Sequence, residues 1–240
     1  MSIHAVLFDA YGTLYDVQSV RVLADELCGD QGELVTQLWR LKQLEYTWLR
    51  TAMDCYEDFW QVTREALLFA LAAADIEATP TCVNRLTDGY LNLAPYPETA
   101  EALEALRRFK LAILSNGSTS MLEKLVSASG FTSLFAEIIS VDRARHYKPH
   151  PACYALAAPA LGVATSEILF VSSNGFDVAG AKNYGFTVAW IERGGPGVAV
   201  SEPGTGISEL YRLLRGRQEQ LGLEADYRLR RLTDLEPLLR

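Results

Sequence analysis

Near its start the chain carries a short run of apolar residues, Ala5-Val6-Leu7-Phe8, which stops abruptly at Asp9. Such a run predicts a buried strand, and Gly12, three residues beyond the acid, predicts a turn. From Val17 onward the apolar positions fall at helical intervals instead. Helices are predicted over Val17–Cys28, Glu33–Arg50, Tyr56–Ala74 and Thr81–Asn92, the second with Leu34, Leu38, Leu41 and Trp48 on its apolar side and Lys42 and Glu45 on its polar side. No convincing strand interrupts this region, and Ala94-Pro95-Tyr96-Pro97 ends it, because each Pro disfavours helix in the residue before it.

After Glu98 helices and strands alternate. Helices are predicted over about Glu98–Phe109, Thr119–Ser129 and Pro151–Leu161, the last distorted at its end by Pro159, with a further helix starting near Phe176. Between them lie strands at Leu111–Leu114, Glu137–Val141 and Ile168–Val171, and Thr187–Ile191 is the last clear strand. This alternation predicts an α/β fold with a Rossmann-like, doubly wound parallel sheet. Residues 17–93 are then an inserted α-helical cap domain, and residues 1–16 and 94–240 the α/β core domain. The Gly/Pro-rich stretch 194–206 reads as a surface loop, and Leu232–Leu239 as a closing helix. No internal repeat is evident.

At 240 residues the chain suits one α/β domain or a core carrying a smaller insertion. The net charge of −8 argues against a nucleic-acid partner, which needs concentrated Lys and Arg, but it leaves an anionic substrate open, since that responds to the local field of its pocket. The longest apolar run, Ala66–Ala74, is too short to span a bilayer, so no membrane association is expected. With no basic region followed by an apolar core at the N-terminus, no secretion signal is expected either. Cys28, Cys55, Cys82 and Cys153 are scattered, which suggests reduced thiols and a cytoplasmic protein, not a disulfide frame or zinc site.

Three polar clusters stand at predicted strand ends: Asp9 with Thr13, Ser115 with Asn116, and Ser172-Ser173-Asn174 with Asp177. A fourth, Tyr147-Lys148-Pro149-His150-Pro151, follows the third strand. In a parallel sheet these ends converge on one edge, where ligands bind. Taken singly, Ser and Asn are common helix caps, Asp9 could simply open a turn, and a Lys usually faces solvent. Four such endings in register point to a site containing an acid, a lysine and several hydroxyl or amide groups. His4, His146 and His150 show no ligand or triad spacing.

Asp9-Ala10-Tyr11-Gly12-Thr13-Leu14, the Ser115-Asn116-Gly117 turn, Lys148-Pro149 and the Ser-Ser-Asn-x-x-Asp run resemble the four signature motifs of the haloacid dehalogenase-like superfamily. Gln37–Tyr46 and Val171–Asp177 are similar, more narrowly, to the (S)-2-haloacid dehalogenases, and the likeness spans roughly Ile3 to Ile191. The resemblance implies hydrolysis of short (S)-2-haloacids to (R)-2-hydroxyacids and halide through an ester on Asp9, in a homodimer without cofactor or metal. It implies that Lys148 keeps Asp9 ionised, that the backbone N–H groups of Ala10 and Tyr11, with Ser115 and Asn116, bind the substrate carboxylate, and that Arg40, helped by Asn116 and Phe176, receives the halide. Asp177 and Asn174 then orient the hydrolytic water, with Thr13, Tyr154 and Ser172 holding the network. Tyr11, Leu44, Phe59 and Phe176 form the apolar wall, although such residues are more often plain core.

Phosphatases of this superfamily carry a second acid two residues after the nucleophile, where this chain has Tyr11, and use acids after the last motif strand to hold Mg²⁺, where it has Ser172, Ser173 and Asn174. A hard cation prefers carboxylate oxygens, so a Mg²⁺-dependent small-molecule phosphatase is the weaker reading. The same residues leave room for a hydrolase of another 2-substituted carboxylate, and the scaffold for a non-catalytic protein that kept it. Trp39, Trp48 and Trp60 on the cap helices are candidates for a dimer interface.

Overall fold

A computed structural model describes residues 2–193 and 206–240, so the predicted loop at 194–206 lies almost wholly outside the described residues. The chain opens with strand β1 (Ala5–Phe8), all four residues of which are buried. Strands covered on both faces read as continuous apolar runs, and burying side chains such as Leu7 and Phe8 contributes about 1.5–3 kcal/mol each.

Four helices follow ahead of the alternating region: α1 (Arg21–Cys28), α2 (Gly32–Ala52), α3 (Phe59–Ala73) and α4 (Pro80–Gly89). Their starts are written locally. The Asp58 side chain accepts from Gln61 N–H at the head of α3, and Thr79 accepts from Cys82 N–H ahead of Pro80 at the head of α4. Pro at the first helical position loses no hydrogen bond there. Trp39 on α2, expected to be available for an interface, is instead fully buried: its Nε1 donates to Thr63 O at 2.7 Å and its ring lies 4.6 Å from that of Tyr90. An indole facing a neighbouring helix buries more apolar area than one facing water and still satisfies its N–H.

The alternating region runs α5 (Thr99–Ala105), β2 (Lys110–Ser115), α6 (Thr119–Ala128), β3 (Glu137–Ser140), α7 (Pro151–Tyr154), α8 (Ala157–Leu161), β4 (Ile168–Ser172), α9 (Gly175–Tyr184) and β5 (Thr187–Ile191). The helix predicted over Pro151–Leu161 is broken between Tyr154 and Ala157. Pro159 has no N–H for the Ala155 carbonyl and its ring crowds that carbonyl, so the break falls one turn before the proline. Beyond the last expected strand come α10 (Ile207–Arg215), β6 (Tyr227–Leu229) and, after a 3₁₀ turn at Leu232–Asp234, α11 (Leu235–Leu238).

The sheet is parallel throughout, in the order β3-β2-β1-β4-β5-β6. The order reverses at β1, which pairs with β2 on one side and β4 on the other. The crevice at the carboxyl end of such a strand is where open α/β sheets bind ligands, and Asp9 is the first residue past that end.

Candidate active site

Asp9 continues the line of β1, its N–H donating to Val171 O at 2.9 Å. Its Oδ2 accepts from Thr13 Oγ1 at 3.0 Å and Asn174 Nδ2 at 2.8 Å, and its Oδ1 accepts from Lys148 Nζ at 3.2 Å. The same Nζ donates to Asp177 Oδ2 at 3.0 Å and to the Leu114 carbonyl at the end of β2. Three strand ends and the loop after β3 thus meet at one ammonium. Asp177 stands in the first turn of α9, where the helix dipole favours an anion, and accepts from Tyr154 Oη at 2.7 Å and Ser172 Oγ at 3.1 Å.

Lys148, Asp9 and Asp177 are all buried. Burial works against the charge on Lys148, but Asp177 and Asp9 overbalance it and hold its pKa above the ordinary lysine value. Burial pushes Asp177 up to about 6, against the pull of Lys148 and with the help of Asp9's like charge. The two directions agree once the charges are counted, because one ammonium serves two carboxylates and the trio carries an excess of negative charge. Tyr154 is pushed far up, first by burial and then by Asp177, and so stays a proton donor to that carboxylate. With Nζ standing between Asp9 and Asp177, this donor set does not fit a divalent cation, which takes those oxygens for itself.

The opposite wall comes from the helices. Arg40, at mid-length on α2, is 3% exposed. Its Nη1 donates to Gln43 Oε1 at 2.7 Å and its Nη2 lies 3.4 Å from the Tyr11 carbonyl, and among the described residues no carboxylate pairs with it. Gln43 passes its own amide to Thr63 Oγ1 at 2.7 Å. Between the walls is a small closed cavity lined by Asp9, Tyr11, Arg40, Phe59, Ser115, Asn116, Lys148, Asn174, Phe176 and Asp177. The Tyr11 and Phe59 rings lie 5.4 Å apart, and Phe176 meets Trp48 edge-on at 5.3 Å.

Most of the expected residues therefore gather here. Thr13, Ser172 and Tyr154 do not line the cavity but hold those that do. The Ala10 and Tyr11 N–H groups, just past the strand end, donate to no protein acceptor among the described residues. Asn116 turns its Oδ1 to accept from Lys148 N–H at 3.0 Å. Leu44 is the exception: it is buried in α2 but absent from the wall, since it stands four residues, about 6 Å, beyond Arg40 along the axis.

Three supports have no individual role in the sequence expectations, although Ser173 belongs to the polar cluster expected at the end of β4. Gln43 positions Arg40, and its place three residues on, on the same helical face, is the signal that could have found it. Ser173 N–H donates to Thr13 Oγ1 at 2.9 Å while its hydroxyl donates to Gly12 O at 2.7 Å, tying the β4 loop to the β1 loop. Gly180 lies directly under the Tyr154 hydroxyl, where any Cβ would collide with it, and only the fold reveals that approach.

The model of the haloacid dehalogenase-like hydrolases matches residues 3–185 of this chain. An (S)-2-haloacid dehalogenase from Xanthobacter autotrophicus is 46% identical, the match taking in 99% of this chain and 95% of the relative. Haloacetate dehalogenase H-2 from Moraxella sp. (strain B) is 47% identical over 80% of this chain and 87% of its own. The fold superposes with a TM-score of 0.95 on the L-2-haloacid dehalogenase of X. autotrophicus with chloropropionic acid covalently bound, at 45% identity and over 99% and 98% of the two chains. Together with the four converging strand ends, these likenesses place the chain in the haloacid dehalogenase-like hydrolase family.

Proposed function

We infer that this protein hydrolyses short (S)-2-haloacids to (R)-2-hydroxyacids and halide through an aspartyl ester. The observation that carries the reading is the pairing of walls: a buried carboxylate hydrogen-bonded by a lysine on one side, and on the other a buried guanidinium with no carboxylate partner among the described residues. A 2-haloacid fills that arrangement. An Asp9 carboxylate oxygen attacks C2 from the face opposite the halogen. The new C–O bond forms as the carbon–halogen bond breaks, and the halide leaves with the bonding pair towards Arg40, with Asn116 and Phe176 beside it. Arg suits this role because it is always charged and weakly hydrated. The substrate carboxylate takes the unfilled N–H groups of Ala10 and Tyr11, with Ser115 and Asn116.

Water held by Asn174 and Asp177 then attacks the ester carbonyl carbon. A proton passes from water to Asp177, whose raised pKa suits it to accept one near neutrality. Lys148 stabilises the oxyanion, and the alkoxide departs and is protonated. Only the first step touches C2, so the configuration inverts once.

A phosphatase reading is disfavoured by Tyr11 in the place of a second acid and by Ser172, Ser173 and Asn174 in the place of acids that would hold a metal. We further propose that residues 17–93 act as a cap domain on a core of residues 1–16 and 94–240, supported by the purely helical run between β1 and β2. A homodimer is supported by the apolar face that α10 leaves exposed at Leu210, Leu213 and Leu214. Among the described residues no helix is long and apolar enough to cross a membrane. A cytoplasmic location is supported by the four free cysteines.

The test uses separate enantiomers of 2-chloropropionate with a chelator present. Chloride and (R)-lactate are expected from the (S) acid alone, and a single turnover in ¹⁸O-water should label the Asp9 carboxylate. Strict dependence on added Mg²⁺, or label in lactate but none in Asp9, overturns the reading.

A further inference from the structure

The closed cavity between the walls measures about 10 Å³, room for about one water, so a 2-haloacid enters only where part of the lining gives way. Of its ten lining residues eight are buried, and only Asn174 and Phe176 are part-exposed. Asn174 is tied down: its Nδ2 donates to Asp9 Oδ2 at 2.8 Å and to Tyr11 O at 3.1 Å, and its N–H donates to Ser172 Oγ at 3.1 Å. The Phe176 side chain has no hydrogen bond to lose. It meets the Trp48 ring edge-on at 5.3 Å and the Arg215 guanidinium at 6.0 Å. Breaking hydrogen bonds to a buried carboxylate costs more than turning a phenyl ring to another staggered rotamer. Phe176 is therefore the part of the lining that yields.

Beyond it lies a cavity of about 730 Å³, and Phe176 is the one residue that lines both. Tyr147 and Pro149, on either side of Lys148, line the larger space too, so it abuts the reaction site. Trp48 and Ala52 of α2, Ala179 of α9, and Leu221 and Leu223 of the C-terminal segment give it a largely apolar wall. Its Arg215 and Glu219 lie 3.6 Å apart and answer each other's charge. Such a wall suits a hydrocarbon chain better than a second anion. A different cavity adjoins the closed one at Arg40 and Asn174, but both of those side chains are held by hydrogen bonds.

We propose that Phe176 is the gate of the reaction cavity and that the cavity behind it receives the substituent on C2 of the substrate. The proposal rests on the hydrolytic reaction above and extends its substrate class to 2-haloacids with a linear alkyl chain at C2. It gives the C-terminal segment a part in specificity, because Leu221 and Leu223 complete the wall.

The test compares bromide release from the (S) enantiomers of 2-bromopropionate and 2-bromohexanoate by the full-length protein. Moving a methylene from water onto an apolar wall strengthens binding by about fourfold, so kcat/KM should be higher for the hexanoate. Ala52→Trp and Ala179→Leu each fill the larger cavity without touching the reacting groups. Each should lower kcat/KM for the hexanoate by about tenfold, through KM, and leave the propionate within about twofold. Phe176→Ala should slow both acids, since the ring stands beside the departing halide, but raise the ratio of hexanoate to propionate. A parent protein that prefers the propionate overturns the proposal, as does a ratio unchanged in both filling variants. Release of no bromide from either acid overturns the reaction itself, a separate result.

Discussion

At the carboxyl ends of β1 and β4 the Lys148 ammonium meets two carboxylates and a carbonyl, whereas on α2 the Arg40 guanidinium is almost as deeply buried and, among the described residues, meets an amide and a carbonyl oxygen but no carboxylate. Burying a charge is costly unless it is paired. The sheet wall meets that requirement within the protein, and so its network is complete before substrate arrives. The helical wall does not, and its cation becomes fully partnered only when an anion enters. On the proposed reaction Asp9 is thus held rigidly, while the binding energy of the leaving group is kept for the step in which halide forms, the only kind of interaction that raises kcat.

If that contrast holds, removing the two cations should have opposite effects on stability. Lys148→Met leaves two buried carboxylates uncompensated and should cost about 3–5 kcal/mol together with nearly all turnover. Arg40→Leu removes a charge that no carboxylate among the described residues neutralises. Its melting temperature should stay at or above that of the parent, while kcat falls by about 10²–10³-fold, as when one donor to developing negative charge is lost. Thermal unfolding beside halide-release kinetics reads both effects. An Arg40→Leu protein as unstable as Lys148→Met would show that the helical wall also completes its charge pairing internally.

A finer probe stays within the sheet wall. Asp177 is pushed up to about 6 by burial, with the Tyr154 hydrogen bond among the forces holding it down. In the proposed reaction the water-activating form is the carboxylate, so activity should fall as pH drops through about 6. Tyr154→Phe removes that hydrogen bond and should move the acid limb of the kcat profile to higher pH, which a merely structural tyrosine would leave in place. The linked stability runs the other way. The folded state keeps this proton longer than the unfolded chain, so this group's contribution to stability declines as pH rises from the ordinary carboxylate range towards about 6.

The two walls also differ in how far the chain discloses them. Asp9, Ser115 and Ser172 stand where apolar runs stop, and such stops in an alternating pattern announce strand ends. The helical wall carries no such punctuation. Arg40 reads as a surface helix residue until the motif likeness singles it out, and neither its Gln43 partner nor the absence of Leu44 from the cavity follows from periodicity, which defines a face but not how far along it a neighbour lies. Strand β6 escapes detection for a different reason: Tyr227-Arg228-Leu229 is three residues long with its first two exposed at the sheet edge, so it offers neither an apolar run nor an alternation. The indole of Trp39 looks available for an interface in the sequence because burial is decided by the helix packed opposite, here α3.

The smallest expected effect is the most diagnostic for the boundary between the walls. Tyr11 follows Asp9 by two places and its ring packs against Phe59 and Tyr90, yet among the described residues its buried hydroxyl has no hydrogen-bond partner. Burial, with Tyr90 adding to it, pushes its pKa far up, so it neither ionises nor donates a proton to a leaving group in the working range. A side chain retained only as apolar wall should tolerate loss of that oxygen, and removing an unsatisfied buried polar atom should raise stability by about 1 kcal/mol. Tyr11→Phe is therefore expected to unfold at a slightly higher temperature, with kcat and KM for (S)-2-chloropropionate within about threefold of the parent, a shift of under about 1 kcal/mol in the barrier. A loss of kcat beyond tenfold with KM unchanged would mean that the hydroxyl enters the transition state and that the wall at this position is polar in function.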